Sequence, residues 1–206
     1  MKITEIDFDL DLDAAVTVSL VPQGPRTPGL HASDIYGGLA SKLDPDRFPA
    51  DSKPPVVSMA IGLAWEQWLE RTLIGMGEAV ARPPEQVVML GKTPCYYSPD
   101  LIVTNGKTRI GEIKTTRMSS KQGIEGPKAD KYHAQTMLYG HWEEIPYARF
   151  YVLFLHGNYG FMKKGSGSNE GVPEFRVYDV EYTARELHEN MEMHFQFAKR
   201  EGLIQV

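Results

Sequence analysis

The first regular pattern along the chain is an alternation of apolar and acidic residues at the amino end. Four apolar side chains alternate with three aspartates over residues 6–12. A period of two is typical of a strand whose two faces differ, so we predict a half-buried strand with one solvated, acidic face. The Pro- and Gly-containing stretches at residues 22–30 and 44–55, and the Gly-Ser run at 165–168, are predicted to be loops.

Helical periodicity recurs in four places. Ser33 is placed to cap a short helix that begins near Asp34, and residues 57–74 and 130–143 follow the pattern of longer helices. Thr183 and Glu186 form a capping-box sequence at the start of a final helix. The predicted buried stripes are Ile61, Trp65, Trp68, Leu69 and Thr72 in the second helix, and Leu187, Met191, Phe195 and Ala198 in the last.

Strand patterns lie between these helices. Residues 87–117 are predicted to form strands around a turn at 104–106, residues 147–156 a strand buried on both faces, and residues 175–182 a further strand. Together the elements predict one α/β domain over residues 1–206, with a restriction-endonuclease-like core in which helices flank a central mixed β-sheet.

Composition narrows the class of protein. The chain has 206 residues, 42% of them hydrophobic, and a single cysteine, which excludes an internal disulfide and a cysteine-based zinc site. No apolar run is long enough to span a membrane and the amino end is acidic, so we expect no membrane association and a cytoplasmic location. Neither pair of neighbouring histidines, His133 with His141 or His188 with His194, has the spacing of a helical zinc site, so surface positions are expected.

The charge distribution modifies the argument about partners. A net charge of −5 disfavours a protein that coats nucleic acid through bulk electrostatics. However, residues 1–13 contain five acidic residues against one basic residue, whereas residues 107–131 contain seven basic residues against three acidic ones. An anionic partner is therefore expected to bind near residues 107–131.

Candidate chemistry is concentrated in the same part of the chain. Asp100 is followed after eleven residues by Glu112, and Lys114 lies two residues further on. A three-residue loop with Gly106 in the left-handed region would pair Val103 with Lys107 and place all three charged side chains on one sheet face. A two-residue turn would instead put the two carboxylates on opposite faces. A shared metal site therefore predicts the longer loop or a bulge.

The residue types define what such a site could do. Two carboxylates are hard oxygen ligands suited to Mg²⁺ or Mn²⁺, and such an ion lowers the pKa of a bound water and polarises a phosphodiester. Lys114 could orient that water or offset charge on the phosphate. On the helix predicted at 130–143, Lys131, Gln135 and Tyr139 are spaced four apart and share one face. Lys131 and Gln135 are thereby placed to contact phosphates.

These motifs resemble the PD-(D/E)xK nuclease superfamily over residues 30–155. Pro99-Asp100, Glu112-Ile113-Lys114 and Gln135-x-x-x-Tyr139 are similar to its lambda-exonuclease and RecB-nuclease group. The resemblance also matches Glu66 to an acidic residue on the preceding helix, with Glu70 one turn away as the alternative, and Ser33 to a serine that meets the DNA backbone. The histidine of RecB-type members and the cysteines of iron–sulfur members are absent, so no cluster is expected.

The resemblance implies a deoxyribonuclease that depends on Mg²⁺ or Mn²⁺. Its implied metal ligands are Asp100, Glu112, Glu66 and the Ile113 carbonyl, and its implied catalytic residues are Asp100, Glu112, Lys114, Glu66 and Gln135. The expected DNA contacts are Ser33, Lys131, Tyr139, Arg117 and Lys121, with packing as the alternative role of Tyr139 and helix capping that of Ser33.

The biological setting that the resemblance implies is recombination or repair in a bacterium or a phage-infected host cell. There an exonuclease would act on DNA ends, assemble as a homo-oligomer and work with a single-strand annealing or recombination protein. Two alternatives remain: a structure-specific or restriction-like endonuclease, and a catalytically silent nucleic-acid-binding module.

Overall fold

The computed structural model describes residues 27–49, 56–125, 129–156 and 173–206, and these form four helices and eight strands. The strand predicted at residues 6–12 and the loop at 165–168 lie outside the described residues. In chain order the elements are β1 (Leu30–His31), α1 (Ala32–Leu43), α2 (Val56–Gly75), β2 (Val80–Ala81), β3 (Gln86–Leu90), β4 (Thr93–Tyr97), β5 (Leu101–Val103), β6 (Arg109–Thr116), α3 (Asp130–Trp142), β7 (Tyr147–Phe154), β8 (Glu174–Glu181) and α4 (Ala184–Arg200).

The principal sheet has five strands in the order β2-β5-β6-β7-β8. Strands β6 and β7 run parallel, joined by the crossover helix α3, and the other neighbours are antiparallel. This arrangement confirms the predicted α/β class with a central mixed sheet flanked by helices. A second, three-stranded sheet in the order β1-β4-β3 was not predicted.

Helix α2 covers one face of the principal sheet, but part of its predicted buried stripe is wrong. Leu69 and Leu73 are buried there against β5 and β6, together with the partly buried Trp65. Ile61 and Trp68 are exposed. The buried face follows Trp65, Leu69 and Leu73 at intervals of four. Trp68 instead stacks on Trp65, with 5.0 Å between ring centroids.

Helices α3 and α4 pack on the opposite face of the sheet. The predicted capping box of α4 is confirmed, since the Glu186 amide donates to Oγ1 of Thr183 at 3.2 Å and the Thr183 amide donates to Oε2 of Glu186 at 2.8 Å. The surface position expected for His194 is wrong, because its ring is buried and its Nδ1 lies 2.7 Å from the carbonyl oxygen of Asn190. The buried face of α4 therefore includes these two polar residues.

Helix α1 begins at Ala32, two residues earlier than predicted. Its N-cap is His31, whose amide donates to Oδ2 of Asp34 at 2.9 Å. The prediction of Ser33 as the N-cap is therefore wrong, because Asp34 closes the first turn from within the helix. Ser33 lies in that first turn with an exposed side chain.

The β5–β6 hairpin confirms the longer loop but not its exact pairing. Val103 pairs with Arg109 rather than Lys107, and residues 104–108 form the connection, with Gly106 at φ +74°. Thr104 donates through both its amide and its hydroxyl to the Ala79 carbonyl, which draws the chain away from β6 after Val103. The register moves by two residues, so the predicted facing of side chains is retained.

Candidate active site

The candidate site begins where the ladder between β5 and β6 ends. Leu101 pairs with Gly111, and the same register continued by one residue sets Asp100 opposite Glu112. Strand β5 begins at Leu101, so it offers no backbone carbonyl to the Ile113 amide. The Ile113 amide instead donates a hydrogen bond to Oδ2 of Asp100 at 2.8 Å. The carboxylate of Asp100 is thereby held beside the central strand.

Glu112 is a fully buried carboxylate. Its exposed fraction is 0%, and Phe150 is its neighbour on β7. Glu112 forms an ion pair with Lys114 through Oε1, and no other described residue donates a hydrogen bond to its carboxylate. Burial raises the pKa of Glu112 to about 8, Asp100 adds to the effect, and Lys114 opposes it. Burial therefore disfavours the charged form of this carboxylate, and Lys114 offsets that cost only in part.

Lys114 connects β6 to α3. Its Nζ contacts Glu112 and lies 3.4 Å from Oε1 of Gln135, to which it donates. Burial alone would lower the pKa of Lys114, but Glu112 and Asp100 outweigh burial and raise that pKa above its usual range. Lys114 therefore remains an ammonium ion at neutral pH and can act as an electrostatic group or a hydrogen-bond donor, but not as a base.

Glu66 approaches the site from α2. Burial raises its pKa, and Asp100 raises it further, which places Glu66 within the electrostatic field of the sheet carboxylates. Arg82 forms an ion pair with Glu66, and its Nε also lies 3.4 Å from Oε2 of Glu70. Both candidate helix carboxylates therefore share one arginine. The charge of Asp100 raises the pKa of Glu66, which favours Glu66 as the carboxylate that belongs to the site.

The donor set can be tested for its fit to a divalent ion. Among the described residues, no group of three or more His, Cys, Asp or Glu side chains is arranged to hold a metal ion. Asp100 and Glu112, however, lie opposite each other, and among the described residues Lys114 alone contacts the buried oxygens of Glu112 as a donor. Two carboxylates are hard oxygen donors that fit Mg²⁺ or Mn²⁺, with water as the remaining ligands.

The residues predicted to contact DNA occupy different environments. Tyr139 is buried, and its ring lies 5.6 Å from that of Tyr97, so the structure places its side chain in the core. Arg117 and Lys121 are exposed beyond the carboxyl end of β6. Lys131 lies at the start of α3 and lines the same groove as Ser33. Two of the residues predicted to contact DNA, Lys131 and Ser33, therefore line one groove.

Sequence reasoning missed Tyr36, which packs beside the catalytic candidates. Burial raises its pKa to about 12, while Lys114 lowers it and Glu112 and Asp100 raise it. Its hydroxyl therefore stays protonated at neutral pH. Tyr36 follows the buried Ile35 on α1, and no spacing or motif distinguishes it from an ordinary packing residue.

Comparisons with known proteins support the fold. The crystal structure of SSO0001 superposes with a TM-score of 0.56 at 13% sequence identity, covering 95% of this chain and 86% of that chain. Two structures of LHK-Exo, an alkaline exonuclease from Laribacter hongkongensis, give TM-scores of 0.47 in complex with dAMP and 0.45. They are 14% identical and cover 84% of this chain, and 87% and 93% of theirs.

No protein-family model and no curated protein matches the sequence. Similarity at this level of identity supports a shared α/β fold with SSO0001. Among the described residues, no helix is both long and apolar enough to cross a membrane.

Proposed function

We propose that this protein is a DNA nuclease that depends on Mg²⁺ or Mn²⁺ and hydrolyses phosphodiester bonds. The observation that carries the proposal is the buried Glu112, paired with Lys114 and facing Asp100 across the β5–β6 register. A fully buried carboxylate costs folding free energy even when a lysine is paired with it, so its presence beside a second carboxylate favours a functional role. The motif resemblance supports an exonuclease that acts on DNA ends.

Asp100 and Glu112 would hold the divalent ion, and the Ile113 carbonyl and Glu66 are proposed as further ligands. The ion, when bound, supplies a water of lowered pKa and polarises the phosphodiester. Lys114, fixed by Glu112 and Gln135, donates a hydrogen bond to a phosphate oxygen and offsets charge that develops there. Gln135 holds the ammonium of Lys114 in place through its side-chain oxygen. Hydrolysis breaks one P–O bond and leaves a phosphate monoester and a hydroxyl.

The test incubates the protein with linear and covalently closed circular DNA, with Mg²⁺ or Mn²⁺ and with chelator. Metal-dependent loss of the linear DNA alone supports the exonuclease, whereas nicking of the circle supports an endonuclease. Glu112→Gln and Lys114→Met should abolish cleavage. Asp179→Asn is the matched control, because Asp179 is also a carboxylate paired with a basic side chain, Arg149, but on β8.

Binding without metal-dependent cleavage of DNA would support the silent nucleic-acid-binding module and refute the proposal. Wild-type cleavage by either Glu112→Gln or Lys114→Met would refute the site assignment while leaving the activity in place.

A further inference from the structure

Strand β8 is the last strand of the principal sheet and has a long outer edge. It runs over eight residues, Glu174–Glu181, and all of them pair with β7. Among the described residues, no strand pairs with its other side. Every second backbone amide and carbonyl of β8 therefore points away from the sheet. An edge of this length is a template for a further strand.

One face of this edge carries an apolar patch. Phe175 and Val177 lie on the face that α2 covers, and they are 44% and 46% exposed. The rings of Phe175 and Trp65 meet edge to face with 5.1 Å between centroids, and Trp68, which stacks on Trp65, is 55% exposed. These four side chains form the edge patch, and three of them remain largely exposed among the described residues.

The opposite face of β8 is basic. Arg176 points to that face because side chains alternate along a strand. It pairs with Glu174 and donates to the carbonyl oxygen of Ser120 at 2.9 Å. Lys121, the residue after Ser120, is exposed. Two basic side chains and one acidic side chain therefore give this face an excess of positive charge.

The amino-terminal segment has the complementary pattern. Residues 6–12, which lie outside the described residues, alternate four apolar side chains with three aspartates. A strand with this alternation beside β8 would set its apolar side chains next to Phe175 and Val177 and its aspartates next to Arg176. Residues 13–26 connect the segment to the described fold, and at about 3.3 Å per residue they can span about 45 Å. That reach is about the diameter of a domain of this size.

We propose that residues 6–12 pair with the outer edge of β8 in the same chain, as an added strand whose apolar side chains cover the edge patch. The edge of the other sheet, β3, is a poorer match because it has five residues and apolar side chains on both faces. Val87 and Met89 are exposed on one face, and Val88 and Leu90 pack in the core on the other. Aspartates beside β3 would face apolar side chains in either orientation. The inference does not depend on the proposed function.

The test is hydrogen exchange of the full chain, followed amide by amide with NMR. We expect every second amide of residues 6–12, and the outward amides of β8, to exchange at least about tenfold more slowly than in an unstructured chain, because pairing would give each an acceptor. Rapid exchange throughout residues 6–12 would overturn the inference. Protection found only in a dimer, as measured by sedimentation at the same concentration, would assign the strand to a second copy and would also overturn it.

Two matched variants locate the added strand. Val177→Asp places a charge in the edge patch, and Val87→Asp places one on β3, where Val87 is 58% exposed. Exchange in residues 6–12 should become about tenfold faster or more in Val177→Asp and stay unchanged in Val87→Asp. The reverse result would place the segment on β3, and an absence of change in both variants would place it elsewhere. Either outcome refutes the proposal.

A reciprocal variant controls for misfolding. Phe8→Asp changes no described residue, and it should make the outward amides of β8 exchange about tenfold faster or more. The amides of β6 report folding and should keep their exchange rates in every variant. If the outward amides of β8 keep slow exchange in Phe8→Asp, the proposal is refuted even where Val177→Asp fails to fold.

Discussion

Replacing Glu112 with glutamine should remove a large pH dependence from the stability of the metal-free protein. Burial, and then Asp100, raise the pKa of Glu112 from the ordinary value of 4.5 to about 8, against the opposing charge of Lys114. Between these values the folded protein retains a proton that the unfolded chain releases. This group therefore contributes stability that is complete below pH 4.5 and is lost as the pH rises through 8.

The magnitude follows from the shift. One pKa unit corresponds to about 1.4 kcal/mol, so a pKa raised from 4.5 to about 8 corresponds to about 5 kcal/mol of unfolding free energy. Glutamine cannot ionise and avoids this loss. The stability of Glu112→Gln relative to the wild type should therefore increase by several kcal/mol from pH 5 to pH 8.5.

The assay is urea unfolding in chelator at several pH values, with the free energy of unfolding of each variant subtracted from that of the wild type. Asp179→Asn is the control, because the Arg149 hydrogen bond lowers the pKa of Asp179 and its contribution is lost only in acid. If the difference in free energy of unfolding between Glu112→Gln and the wild type stays constant from pH 5 to pH 8.5, the inference that burial raises the pKa of Glu112 is refuted.

Three further predictions concern the helix carboxylates, the hairpin and the last helix. Glu66→Gln should lower DNA cleavage about tenfold or more while Glu70→Gln retains it, as measured by initial rates; equal effects would remove the distinction between them. Gly111→Ala should lower the free energy of unfolding by about 2 kcal/mol, as measured by urea unfolding, since a Cβ there would lie 2.8 Å from the Cβ of Leu101. Thr183→Ala should cost about 1 kcal/mol through loss of the N-cap and leave cleavage unchanged; an unchanged urea midpoint would contradict the cap.

Local signals in the sequence predicted most of the elements. The capping box at Thr183 located the start of α4 to the residue, and helical periodicity located α2 and α3 to within one residue at either end. These signals work because each depends on residues within one or two turns of each other. His31 as the N-cap of α1 escaped prediction, since its closure depends on Asp34 rather than on a capping side chain before the helix.

The buried faces were harder to predict than the elements. Trp68 was expected in the core and is exposed, whereas His194 was expected at the surface and is buried. Periodicity shows that an element has two faces, but which residues of a broad stripe are covered depends on the line along which another element packs. That line is set by residues distant in the chain.

Sequence alone determined that Glu112 and Lys114 share a sheet face, because side chains alternate along a strand. It left open whether Asp100 joins them, and the register of the β5–β6 hairpin decided that point. Tertiary structure decided what the face contains. The complete burial of Glu112 depends on the neighbouring strand β7, and the contact of Lys114 with Gln135 depends on the position of α3. These environments come from packing between elements far apart in the chain, which no local pattern encodes.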